Sequence, residues 1–414
     1  MPANAERPAR VVSAQERRAR LGRRQLLAPE ARAATVEQAT ERIVCLHATD
    51  PATVYLSAWA RVEALRVTDL ERALYADRSL VKHMAMRRTL FVFPRATMPD
   101  AQAGASARVA DVERRRLIAD VERAGLKRDG ARWLREGCTA VLATLADGRE
   151  LSSTELRDEL PLLEGSISYG EGKSWAGKMP IGPRVLTVLS AEGLIVRASN
   201  VGGWTSSRPR WTAMGAWLGE ELAPRTAQQG VAGLVERWLR AFGPGTEADL
   251  KWWLGGTLRA VRAALVEIGA VPVALVGDDS AGDGTVRGRG AATGWLMPDD
   301  LDPVAAPAPW AALLPPLDPT TMGWTERDFY LGSYRPQLFD SAGNAGPTAW
   351  WEGRIVGGWR QREDGSVELQ LLEDPGDDGR RALDAEAARL TAWLEGVRLL
   401  PRFPSPLSKA LAER

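Results

Sequence analysis

Apolar residues in this chain fall into short runs at helical spacing, each closed by a polar turn, and several runs lead into segments that alternate with period two. The clearest unit predicts a helix near 131–146, a second from Ser153 to Leu160 and a third near 182–192. It closes with Leu194-Ile195-Val196-Arg197, a Gly202-Gly203 turn and a second strand through Trp211. Three helices followed by a hairpin is the winged helix-turn-helix plan. A comparable unit runs from Thr35 to Phe93 and ends in the strand-like Thr89–Phe93 after a helix bearing Arg87 and Arg88. A third spans 225–300, with helices to Phe242, from Thr246 and over 257–269, then strands Val271–Leu275 and Trp295–Met297. The stretch 98–124 reads as a connector helix carrying Arg108, Arg114, Arg115 and Arg116.

Helix starts at Thr35/Gln38, Thr68/Glu71, Ser152/Glu155 and Thr246/Asp249 have capping-box spacing, in which a hydroxyl and a later acid or amide satisfy free backbone N–H groups. After the Pro-rich stretch 303–319, tryptophan, glycine and alternation predict strands at Trp350-Trp351, Arg354-Ile355-Val356 and Gln361–Gln370, with a closing helix near 384–398. The expected fold is α+β, mainly α: three tandem winged helix-turn-helix units followed by a C-terminal β-barrel. Its boundaries are a basic N-terminal arm at 1–25, a first winged unit with connector at 26–125, a second at 126–222, a third at 223–302 and the barrel at 303–414.

Charge is balanced, with 54 Lys plus Arg against 53 Asp plus Glu, so a nucleic-acid partner must be argued from local charge. The strongest local case is Arg7 to Arg24, where seven arginines face only Glu16. Cys45 and Cys138 make neither a disulfide framework nor a metal spacing, which predicts a reducing cytoplasm, no metal and no cofactor. No apolar run reaches the length of a membrane span, and a soluble cytoplasmic, nucleoid-associated monomer is expected.

Gly170-Glu171-Gly172-Lys173-Ser174 has the end of a phosphate-binding loop, but the first glycine of that pattern would fall at Ile167 and no buried strand precedes it. It reads instead as a loop between two helices. The wing sequence Gly203, Trp204, Thr205, Ser206, Ser207 and Arg208 joins hydroxyls, a cation and an aromatic ring, which suit phosphate and sugar contact; packing of Trp204 on its own domain is the alternative. At Leu46-His47-Ala48-Thr49-Asp50-Pro51 one helix stops and another starts. Capping accounts for Asp50-Pro51 but not for His47, and an extended backbone would send His47 and Thr49 to one side together.

That junction resembles the one carrying the catalytic motif in the tandem winged-helix DNA glycosylases, the family of the azinomycin-resistance and interstrand-crosslink glycosylases. The family pattern there is Leu-Gln-x-Gln or Leu-Gln-x-Asp; here it reads Leu46-His47-Ala48-Thr49. Met86-Arg87-Arg88-Thr89-Leu90, Leu186–Arg197, Gly203–Ser207, Thr246–Gly255 and Leu313–Pro319 extend the resemblance over 25–375. It implies a concave DNA channel and hydrolysis of the N-glycosidic bond of N7-alkylguanine, including bulky natural-product adducts or crosslinks, without lyase activity. The partner implied is double-stranded DNA containing alkylated guanine, and the roles implied are alkylation repair or antibiotic self-resistance. A cationic base leaves neutral, so no general acid is needed; a water must be placed and an oxocarbenium-like sugar stabilised. His47 would accept the water's proton and Thr49 orient it, while Arg87, Arg88, Trp204, Thr205, Ser206, Ser207 and Arg208 would hold DNA. The His-Ala-Thr departure leaves other readings open: a winged-helix DNA-binding or regulatory protein without catalysis, or a protein that sequesters an alkylating metabolite.

Overall fold

Helix caps and strand alternation produce a mixed α/β fold in which helix outweighs strand. The computed structural model describes residues 8–170, 172–173, 176–277, 291–400, 402 and 404–412; Arg7, Glu171 and Ser174 of the motifs above lie outside them. The chain forms two compact units, one of Met1–Leu70 with Ala232–Arg414 and one of Glu71–Val231.

In the unit Glu71–Val231, Ser152 begins the helix Ser153–Glu159 with a complete capping box: its hydroxyl accepts from the Glu155 amide at 3.2 Å and the Glu155 carboxylate accepts from the Ser152 amide at 2.7 Å. These bonds hold the Glu155 carboxyl below its usual range. The helices Gly130–Thr144, Ser153–Glu159 and Gly182–Ala191 close on Leu134, Val141, Leu156, Val185 and Leu189, and Ile195 and Trp211 of the following hairpin complete that core. The hairpin pairs Ile195–Asn200 with Pro209–Ala213. The expected loop around Gly170 is itself a hairpin, Ser166–Tyr169 with Gly177–Pro180. Gly177 permits it, since a Cβ there would stand 2.6 Å from the Tyr169 hydroxyl.

Two expectations need correction in this unit. The residues before Thr89 are a strand and not a helix: Leu80–Met84 pairs antiparallel with Leu90–Pro94. Arg87 and Arg88 turn the chain between them at φ 54° and 61°, in the left-handed region, which a right-handed helix cannot contain. The connector is also interrupted, running through Met98–Ala101, a π-helical turn at Gln102–Ser106 and Ala107–Arg123.

In the other unit, Thr246 caps Glu247–Leu254 through the second complete capping box. The expected box at Thr68/Glu71 does not form; the helix Val67–Glu71 begins a residue earlier, and Asp69 accepts from the Arg66 amide at 3.0 Å. A cluster of rings fills the interior, with Trp238 stacked on Phe242 at 5.5 Å, Trp324 edge-on to Phe242 at 5.2 Å and Tyr330 stacked on Trp350 at 5.2 Å.

The N-terminal arginines are not a solvated arm. Arg20 is 1 % exposed and bonds Glu16 at 2.8 Å and Asp300 at 2.9 Å; Arg24 also pairs with Asp300, and Arg17 lies 3.6 Å over the Phe329 ring. The segment folds as the helix Ala14–Arg24, and its charge is spent inside the unit.

In place of the expected barrel, the described C-terminal strands Ala311–Leu314, Thr348–Trp351, Arg354–Gln361 and Val367–Leu371 make a four-stranded antiparallel sheet in that order, open at both edges. The helix Gly376–Leu394 packs across it, so its apolar face is buried without closure.

Candidate functional site

The sequence junction at 46–51 is built from a short strand, Leu46–His47, and the helix Pro51–Trp59. Asp50 caps that helix by accepting from the Ala52 amide at 3.2 Å, and Pro51 occupies the first helical position, where no N–H is missed. Thr53, Ser57 and Arg61 then repeat at four-residue spacing on one side of the chain. Thr53 Oγ1 donates to the Pro316 carbonyl at 2.9 Å and Ser57 Oγ donates to Asp318 Oδ2 at 2.7 Å. The Arg61 guanidinium bonds both Asp318 oxygens, at 2.9 and 2.6 Å, and Thr320 Oγ1 at 2.8 Å. Arg61 and Asp318 are both fully buried, which is tolerable only because each is paired and further hydrogen bonded. The junction is therefore clamped through its helix onto residues 316–320.

His47 and Thr49 are adjacent but do not share exposure. His47 is 6 % exposed, whereas Thr49 is exposed, because the backbone leaves the extended conformation after His47 and bends at Thr49-Asp50. The Thr49 amide donates to His47 Nδ1 at 3.4 Å. Beside Asp50 opens a cleft of about 460 Å³ lined by Thr53, Leu56, Trp359, Arg360 and Arg398, among others. Burial pushes the Asp50 carboxyl up, against the opposing Ala52 amide and Arg402 charge. Sequence reading missed this cleft. Of its lining, only Asp50 and Pro316 fall in motifs that the sequence marked.

The unit Glu71–Val231 holds the other expected residues. Arg88 bonds the buried Glu113 at 2.8 Å, and Arg87 beside it is exposed. A cleft of about 590 Å³ is lined by Arg88, Glu113, Arg116, Tyr169, Met179 and Arg184, among others. Two successive left-handed non-glycine residues cost about 1–2 kcal/mol each, a local strain that the hairpin bonds Ala85 N to Thr89 O and Arg88 N to Ala85 O offset. In the loop of the hairpin Ile195–Asn200 with Pro209–Ala213, the Asn200 side chain donates to the Ser206 carbonyl at 2.9 Å and accepts from the Arg208 amide at 2.8 Å. Trp204, Thr205 and Ser206 are half-buried within that loop, and Ser207 and Arg208 are exposed.

Among the described residues there is no group of three His, Cys, Asp or Glu side chains that could hold a metal, and no helix long and apolar enough to cross a membrane. Cys45 and Cys138 are buried, and burial raises both thiols, Cys138 to about 11.

No curated protein sequence matches the chain. Among solved structures, Streptomyces sahachiroi DNA glycosylase AlkZ is similar, with a TM-score of 0.69 at 20 % identity, covering 94 % of this chain and 98 % of that one. The family model described as DNA glycosylase AlkZ-like matches residues 40–393, from just before the His47 junction to the end of the helix packed on the C-terminal sheet, and the chain belongs to that family of DNA N-glycosylases.

Proposed function

We propose that this DNA glycosylase releases N7-alkylguanine from duplex DNA, with His47 and Thr49 as its catalytic pair and a bulky adduct or crosslink as its natural lesion. The observation that carries the reading is the chemistry of the junction. Its polar groups are an imidazole, a hydroxyl and Asp50, and Asp50 is already engaged as a helix cap. A site of that kind suits a base that leaves without protonation, as a cationic N7-alkylguanine does. Nδ1 of His47 accepts from Thr49, so in the neutral ring the proton sits on Nε2. The role left for His47 is to hold a DNA oxygen through Nε2–H, while the exposed Thr49 hydroxyl accepts a hydrogen bond from the attacking water, whose proton passes to solvent as the oxocarbenium-like sugar is trapped.

In this reading the helix-helix-helix-hairpin sets are winged units that grip phosphates through Arg87, Arg88 and the Trp204–Arg208 wing, and the protein acts as a monomer on the nucleoid. The test is incubation of the protein with a duplex bearing one N7-methylguanine, followed by alkaline cleavage at abasic sites. Strand breaks at the lesion alone support the reading. Binding to that duplex without base release would leave a non-catalytic winged-helix protein in its place.

A further inference from the structure

In the unit of Met1–Leu70 with Ala232–Arg414, the cleft beside Asp50 presents carbon from Leu56, Trp359 and Leu399. The polar groups next to those walls have their hydrogens spent inside the protein. Trp359 donates Nε1–H to the Leu314 carbonyl at 2.9 Å, and Thr53 gives its hydroxyl to the Pro316 carbonyl. Gln361 donates from Nε2 to the Gly365 and Val397 carbonyls at 3.1 and 2.9 Å, and its Oε1 accepts from the Leu399 amide at 2.9 Å, which fixes the segment that carries the Leu399 wall. Charge in the lining lies on the exposed Arg398 and Lys409, on Arg360, which Glu368 answers at 2.7 Å, and on the buried Asp50, which caps its helix. Leu400 completes the lining and is 87 % exposed. At about 460 Å³ the cleft has the size of a small-molecule pocket, and Asp50, one of its walls, stands three residues after His47.

We infer that this cleft receives the N7 substituent of the lesion and selects uncharged aromatic substituents over cationic ones. The inference rests on the reading of His47 and Thr49 as the catalytic pair and names the class of lesion that the pair would meet. In guanine, N7 and the glycosidic nitrogen belong to the same five-membered ring, so a substituent on N7 begins close to the bond that breaks. With that bond at the junction, the cleft beside Asp50 is the apolar volume next to it. A sugar or phosphate would find the hydrogens of Trp359, Thr53 and Gln361 already committed, whereas an aryl group leaves water for Leu56, Trp359 and Leu399. An ammonium arm gains nothing from carbon walls and is repelled by Arg398 and Lys409.

The test compares kcat/KM for release of N7-methylguanine, N7-benzylguanine and N7-aminopropylguanine from otherwise identical duplexes, each corrected for spontaneous release. In the wild type the benzyl lesion should exceed the methyl lesion by about 10- to 100-fold, and the aminopropyl lesion should not exceed it. Ala52→Phe keeps the amide that Asp50 accepts and puts a ring into the cleft, so it should bring the benzyl-to-methyl ratio to about 1. Leu400→Ser, at an exposed position, should lower that ratio by about 2- to 5-fold. Lys409→Glu should raise the aminopropyl-to-methyl ratio by about 2- to 5-fold. Ratios taken within one protein cancel any loss of folded enzyme. A wild type that releases the methyl lesion without favouring the benzyl one, or whose preference survives both Ala52→Phe and Leu400→Ser, would overturn the cleft assignment and leave the glycosylase reading intact. A wild type that favours the aminopropyl lesion as strongly as the benzyl one would likewise overturn the selection. Release of none of the three bases would overturn the reading of the junction and the inference together.

Discussion

The Thr49 amide donates to the Nδ1 of His47 at 3.4 Å, a bond that a neutral imidazole makes with its proton on Nε2. A glutamine amide can place an N–H near the position of Nε2, and glutamine is the family's residue there. His47→Gln should therefore keep base release within about 10-fold of wild type, whereas His47→Ala should lose about 10²- to 10³-fold, as removal of one positioned donor does, with duplex affinity unchanged in both. Single-turnover kinetics on an N7-methylguanine duplex, with melting temperatures measured alongside, make the comparison. A stable His47→Ala protein at the wild-type rate would move the chemistry elsewhere.

Asp50 is both helix cap and cleft wall, and two substitutions separate the roles. Asp50→Asn retains an acceptor for the Ala52 amide, and Asp50→Ala does not. The alanine variant should lose about 1 kcal/mol of stability and the asparagine variant far less. Denaturant titration reads the difference. If Asp50→Asn abolishes base release at full stability, the carboxylate has a chemical role beyond the cap.

Arg61 and Asp318 should be intolerant of half-removal. Asp318→Asn leaves a buried guanidinium without its counter-charge and should destabilise the protein by about 3–5 kcal/mol. Arg61→Lys keeps the charge but cannot bond both oxygens and Thr320 at once, so it too should unfold at lower denaturant. Unchanged midpoints would show the network to be dispensable.

His83 is fully buried with neither ring nitrogen hydrogen bonded, and burial lowers its imidazole to about 4, the nearby Gln102 side chain opposing. A folded value below the unfolded one of about 6.5 favours the neutral ring. Stability from this group is therefore complete above about 6.5 and is lost progressively as pH falls toward 4. His83→Leu should melt with a weaker pH dependence across that window than the wild type. Parallel profiles would mean that some other group governs the acid sensitivity.

Arg87→Glu and Arg88→Glu should weaken duplex binding more than Arg380→Glu and Arg381→Glu, which alter exposed residues of the C-terminal helix. Anisotropy at one fixed salt concentration is sufficient, and equal effects would remove the Arg87-Arg88 turn from the DNA surface.

Features whose cause is local were legible in the sequence. Ser152/Glu155, Thr246/Asp249 and Asp50-Pro51 each dictate a helix start within four residues, and each start forms. The hairpin around Arg87 was misread because nothing in Arg-Arg announces a left-handed turn, for which glycine or asparagine is the usual signal. The N-terminal arginines were misread because their acceptor, Asp300, lies 276 residues or more away. The cleft beside Asp50 takes its other walls from Trp359, Arg360 and Arg398, and no spacing rule reaches that far.

The anchoring of Ser57 and Arg61 by Asp318 also orders events in time. A nascent chain exposes His47 long before residue 318 is made, and at about 5–20 residues per second the interval is on the order of tens of seconds. Until then the helix that follows His47 has no partner for its buried arginine. The Arg61–Asp318 pair can close only when the last quarter of the polypeptide is being completed. A chain terminated before residue 318 would leave Arg61 without the carboxylate that its burial requires.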